Sequence, residues 1–128
     1  MGVLIDTSLW VEHFRRQNDQ LVNLLELELE LTMSHPMVLV ELACGTPPQP
    51  QARTLGHIGL LRQTQQASMS EVMDFIEREA LQGLGCALVD MVLLASTLLT
   101  PGVQLCTLDK RLATLAGRFG VLHQPSLH

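Results

Sequence analysis

The sequence predicts an α/β fold, a small parallel β-sheet flanked by helices on both faces, and three observations predict it. Short apolar runs of strand length recur along the chain, as at 3–5 and 103–107. Stretches of helical spacing lie between them. Such alternation of strand and helix requires the strands to run parallel, with crossover helices covering the sheet. At 128 residues the chain forms one domain, 1–128, large enough to bury a core without disulfides or structural zinc.

Taken in order, Val3 to Ile5 reads as a central strand closed by Asp6, and Thr7-Ser8 supplies a helix N-cap. Leu9, Trp10 and Phe14 then recur at helical spacing, with Glu12, His13, Arg15 and Arg16 mostly on the wet side. The stretch from 24 to 31 alternates Leu and Glu, which suits a half-exposed strand. Leu and Glu are also strong helix formers, so the expectation is a helix over about 19–28 and a short strand through 33. Ser34-His35-Pro36 opens the next helix, which carries Glu41 and stops at Gly45. Residues 50–66 are polar and weakly periodic, with a helix near 51–61.

An amphipathic helix follows over 68–81, capped by Ser68 or Ser70, with Val72, Phe75, Ile76 and Leu81 on one face. Residues 87–99 are almost wholly apolar and read as a buried helix, ended by Pro101-Gly102. A β-rich run at 103–107 leads into Asp109. A helix over 110–118 closes at Gly120, and 121–123 has the composition of one last strand.

Composition excludes several classes. The chain is 47% hydrophobic and 16% charged, which disfavours disorder. Aromatics make up 3% with no Tyr, too few for the stacking platforms of single-stranded nucleic-acid binders. A net charge of −5 disfavours a protein that coats nucleic acid, but not an enzyme that grips phosphate through a metal. No apolar stretch has the length of a membrane span, and the start lacks secretory-signal features, so a cytoplasmic location is expected. Cys44, Cys86 and Cys106 are far apart with apolar neighbours, and are expected to be small buried hydrophobes in a reducing compartment.

Four of the thirteen carboxylates sit inside apolar runs: Asp6, Glu41, Asp90 and Asp109. An ionised carboxylate drawn toward a core needs a cation. Only eight Lys and Arg serve the whole chain, and only Asp109 has basic neighbours. The missing cation is then a hard metal ion from solution, Mg²⁺ or Mn²⁺, which prefers oxygen ligands. In open parallel sheets, sites form beyond the carboxyl ends of the strands. Asp6 and Asp109 stand at such ends, and helices can bring Glu41 and Asp90 over the same edge.

Four acids with one or two metal ions suit phosphodiester hydrolysis. Each acid also has a plain structural reading. Asp6 and Asp109 can cap the helices that follow them, and Glu41 can reach solvent from the core edge. No phosphate-binding Gly-rich loop is present, the five His show no metal-ligand spacing, and a Ser nucleophile is unsupported because Ser8 and Ser96 lack a neighbouring base in the sequence. His35 reads as a helix-start residue. A receiver-like phosphoacceptor would pair acids at the first strand's end and place a Lys after the last strand. Asp6 stands alone and the single Lys, Lys110, directly follows an acid.

At these residues the chain resembles the PIN-domain family, and within it the VapC-type toxins of toxin–antitoxin modules. The matching stretches are 4–11, 35–45, 89–96 and 107–112, in the same order along nearly the whole chain. The resemblance implies a PIN-like fold and a metal-dependent endoribonuclease acting on RNA. Asp6, Glu41 and Asp90 fall on the family's main metal-binding acids, Asp109 on a fourth. Thr7, Ser8 and Thr107 fall on supporting polar positions. The resemblance further implies a homodimer held silent by an antitoxin protein. The alternative is a catalytically degenerate PIN domain that serves only as a binding partner. Leu88, Val92 and Leu108 depart from an aromatic, a His and an Arg common in related toxins. Arg15, Arg16, Arg53, Arg62, Arg111 and Arg118 remain as candidate phosphate contacts.

Overall fold

The computed structural model describes residues 1–124, so nothing of the structure concerns 125–128. Its centre is β1 (Gly2–Ile5), every residue of which is buried. A short run of apolar residues with no polar alternation suits a strand covered on both faces. α1 (Thr7–Arg15) follows after Asp6, then α2 (Asp19–Leu27) and a 3₁₀ turn at Leu29–Leu31. β2 (Thr32–Ser34) leads through His35 into α3 (Pro36–Cys44). α4 (Gln51–Gly59), β3 (Arg62–Gln63), α5 (Met69–Arg78), α6 (Leu88–Leu99), β4 (Val103–Cys106) and α7 (Lys110–Arg118) complete the order.

The sheet order is β3-β2-β1-β4, and every pairing is parallel. β1 lies in register with β4 from Gly2 against Val103 to Ile5 against Cys106, so Asp6 and Thr107 leave the sheet side by side. Leu4, Ile5, Leu9, Leu93, Leu94 and Leu105 form the fully enclosed heart of the core. At roughly 2 kcal/mol for each fully buried Leu or Ile, these side chains fix the sheet against α1 and α6.

Several sequence expectations are corrected. Asp6, not Thr7-Ser8, occupies the N-cap of α1, and it makes no side-chain cap bond. The Thr7 and Ser8 hydroxyls point away to other acids instead. The strand expected through 33 begins only at Thr32. Its hydroxyl donates to the carbonyls of Leu24 (3.3 Å) and Glu28 (3.1 Å), finishing α2 and its 3₁₀ extension before the chain straightens. β3 was not expected, because two exposed polar residues carry no strand pattern. The last strand reduces to one parallel bridge, Leu105 with Leu122. The helix expected over 68–81 ends at Arg78, and Ser68 caps it by accepting from Glu71 N–H at 3.1 Å. Cys106 is buried as expected, whereas Cys86 is partly buried and Cys44 exposed, since Cys44 ends α3 on its wet side.

Candidate active site

Asp6 is the best enclosed of the four acids, only 4% exposed. Its Oδ2 accepts two hydroxyl bonds, from Ser8 Oγ and Thr107 Oγ1, each at 2.7 Å. Both hydroxyls are themselves oriented by backbone. Leu108 N–H donates to Ser8 Oγ and Asp109 N–H to Thr107 Oγ1, each at 3.0 Å. An oxygen that already accepts an N–H turns its own proton elsewhere, so both protons are aimed at Asp6. Oδ1 accepts no hydrogen bond among the described residues.

The same division recurs at the other three acids. Thr7 Oγ1 donates to Glu41 Oε1 at 2.5 Å, tying the middle of α3 to the start of α1. Asp90 Oδ2 accepts Ala87 N–H at 3.1 Å, in the first turn of α6. Asp109 Oδ1 accepts Leu112 N–H at 3.0 Å and caps α7. In each, the second oxygen has no hydrogen-bond partner among the described residues. Thus the capping reading holds for Asp109, fails for Asp6, and gains an unforeseen example in Asp90.

Electrostatics relate the four. Burial, opposed by the Ala87 N–H, pushes the Asp90 carboxyl above the usual aspartate range. The negative charges of Asp6, Asp109 and Glu41 add to that rise, so all three act on Asp90. Among the described residues no cation offsets them there. Burial also raises the nearby Cys86 thiol, as do Asp90 and Asp109, with Arg111 opposing. Cys106, behind Asp6, is pushed up to about 12 by burial and by the Asp6 charge. Both thiols therefore stay protonated near neutrality and take no part as thiolates.

Among the described residues, no three carboxylate, imidazole or thiol groups already form a set that could hold a metal ion. The chemistry of the donors nevertheless fits a hard ion. The available atoms are carboxylate oxygens, four of them unengaged, and Mg²⁺ needs only one or two alongside water and phosphate.

His35 and most of the candidate arginines are engaged elsewhere. His35 caps α3, its Nδ1 accepting Met37 N–H at 3.0 Å, and its Nε2 bonds Ser96 Oγ at 3.0 Å in the core. Of the candidate arginines, Arg16 pairs with Glu12, while Arg62, Arg111 and Arg118 donate to backbone carbonyls. The side chains of Arg15 and Arg53 have no such partner among the described residues.

The class these features define is an α/β fold with an all-parallel sheet, in which Asp6 and Asp109 lie just beyond the carboxyl ends of β1 and β4 and Glu41 and Asp90 stand on α3 and α6. No family model matches the chain. It is, however, 37% identical over 119 residues to Ribonuclease VapC32 of Mycobacterium tuberculosis, both in strain CDC 1551 / Oshkosh and in strain ATCC 25618 / H37Rv. The alignment covers 93% of this chain and 94% of that relative. The chain belongs to the VapC-type toxins of the PIN-domain family.

Proposed function

We propose that this protein is a metal-dependent endoribonuclease that hydrolyses RNA phosphodiester bonds, acting as the toxin of a toxin–antitoxin pair. The observation that carries the reading is the shared division of labour among Asp6, Glu41, Asp90 and Asp109. Each ties one oxygen into the fold and leaves the other free. Membership of a family whose relative is named a ribonuclease supplies the reaction class.

Asp6, Glu41, Asp90 and Asp109 are assigned to hold one or two Mg²⁺ or Mn²⁺ ions. When bound, such an ion lowers the pKa of water and withdraws charge from the scissile phosphate. The chain's residues do the rest. Ser8 and Thr107 hold Asp6 through Oδ2 and leave Oδ1 without a hydrogen-bond partner among the described residues, and Thr7 holds Glu41. Asp90, whose carboxyl holds its proton to higher pH than an ordinary aspartate, gives it up when a cation enters. Among the described residues no helix is long and apolar enough to cross a membrane. A cytoplasmic homodimer, silenced by an antitoxin, completes the proposal.

An RNA cleavage assay with Mg²⁺ or Mn²⁺ tests it, comparing the parent with Asp90→Asn. Cleavage by the parent alone, abolished in EDTA, is expected. Equal cleavage by both proteins, or cleavage that persists in EDTA, rejects the mechanism. The toxin role is tested by expression with and without the neighbouring gene. It fails if the protein alone leaves growth unchanged and the neighbour's product does not bind it.

A further inference from the structure

A cleft of about 510 Å³ opens where α1 faces the end of α3, and Glu41 lines it together with Val11, Phe14, Arg15, Leu42 and the 45–48 segment. One of the four acids thus faces directly into a hollow with apolar walls. Three further observations single it out. Phe75 and Phe119 stack on one another at 5.4 Å, with Arg78 and Arg118 over their rings, so neither is free. Trp10 is buried. That leaves Phe14, partly buried, which packs against Trp10 at 6.3 Å between ring centroids and also lines the cleft. Arg15 beside it is exposed and unpaired among the described residues, whereas Arg16 is engaged by Glu12.

We propose that this cleft is the base subsite for the nucleotide flanking the scissile phosphate. Phe14 receives the base, with Pro47 and Pro48 closing the hollow, and Arg15 takes that nucleotide's own phosphate. The proposal rests on the ribonuclease reading above. A base is planar and neutral, so the Glu41 carboxylate does not repel it, while the nucleotide's phosphate falls to the exposed Arg15 guanidinium, whose charge is opposite to that of Glu41. Stacking on an aromatic face tolerates every base and adds affinity without hydrogen-bond readout. The cleft's continuity with Glu41 places a bound base next to the bond to be cut.

The test uses the intact protein with short RNA in Mg²⁺, once its cleavage point is mapped. Oligonucleotides carrying an abasic residue on either side of that point are compared with the natural strand. For the parent, one abasic position raises KM about tenfold, the scale of one lost base–aromatic stack. Phe14→Leu, which keeps the side chain apolar, raises KM similarly on the natural strand and adds nothing on that abasic one. Arg15→Gln raises KM and lowers the salt dependence by about one phosphate contact, and Arg78→Gln, whose side chain lies over Phe75 beside Glu79, does neither. Thermal melts confirm that each variant is folded. The inference is overturned if folded Phe14→Leu and Arg15→Gln keep the parent's KM and abasic sensitivity. It is equally overturned if they lose only the binding of the antitoxin polypeptide. A parent that cleaves no RNA sinks the ribonuclease reading and this inference together. A parent that cleaves while the variants match it sinks this inference alone.

Discussion

Replacing Thr107 by Val preserves the side chain's shape and deletes one hydroxyl. Asp6 Oδ2 then keeps Ser8 as its sole hydroxyl donor, and Asp109 N–H loses its acceptor. A hydrogen bond to a charged group contributes about 1.5–3 kcal/mol. Asp6 is 4% exposed, so water does not replace the lost donor. The Asp109 N–H lies exposed at the N-cap of α7 and rehydrates, which adds little. The loss is therefore about 2 kcal/mol. With about 2.1 cal/mol/K of unfolding entropy per residue, 128 residues give roughly 0.27 kcal/mol/K, and Tm falls by roughly 7 °C. Cleavage falls further, about 10- to 100-fold, because Asp6 Oδ1 is no longer held. Thr107→Ser restores most of both. Melting curves in EDTA and an RNA cleavage time course read the two effects. The reasoning is refuted if Thr107→Val melts within about 2 °C of the parent, or if Ser fails to rescue.

Thr7→Val removes the donor to Glu41 without touching the core, so cleavage falls about 10-fold while Tm moves little, as kinetics and melting in parallel show. Asp90→Asn raises the cation-free Tm at neutral pH. The folded protein holds the Asp90 proton more tightly than the unfolded chain does. Its stability is therefore full below the ordinary aspartate value and falls as pH rises through the raised one. Asn removes that slope, and melts from pH 4 to 8 in EDTA should show the two proteins converging at the acid end. Ser96→Ala strips a buried acceptor from Ala67 N–H and a partner from His35, costing about 2–4 kcal/mol in denaturant unfolding with cation affinity unchanged. Burial lowers the His35 pKa, so its contribution is full above the ordinary histidine value and is lost as pH falls below it. An acid limb centred below about pH 6.5 in urea melts checks this.

The sequence made the fold class legible because its strongest signals are local. The apolar run before Asp6 and the helix periodicities of α5 and α7 state their own burial. β3 escaped because Arg62 and Gln63 are exposed and polar; they are a strand only through pairing with Met33 and Ser34. The N-cap at Thr7-Ser8 was misplaced for a related reason. A hydroxyl beside a helix start normally serves the nearest backbone N–H, yet here each serves a distant acid or one already buried. That choice depends on Thr107 arriving 101 residues later beside Asp6, which no local pattern contains. The exposure of Cys44 likewise follows from which face of α3 meets α1 and α4.

Capping and cation binding stand as rival explanations for an acid at a strand end or helix start, but a carboxylate has two oxygens and both explanations can hold at once. Asp109 Oδ1 caps α7 and Asp90 Oδ2 takes Ala87 N–H. Those bonds fix where the other oxygen points. A free carboxylate at the end of a mobile side chain loses rotamer freedom when it binds an ion, whereas one already anchored has met that cost during folding. The anchors also set which acid is most sensitive to the cation's absence. Asp6 has two hydroxyls to hold its charge, while Asp90 has one backbone N–H against burial and three neighbouring carboxylates. On the metal-dependent mechanism proposed above, Asp90 is therefore the acid that exchanges a proton for a cation, and a cation titration followed by the Asp90 carboxyl signal in NMR should see that proton leave first. If the Asp6 signal responds to the cation while Asp90 remains unchanged, the anchoring argument assigns the wrong acid.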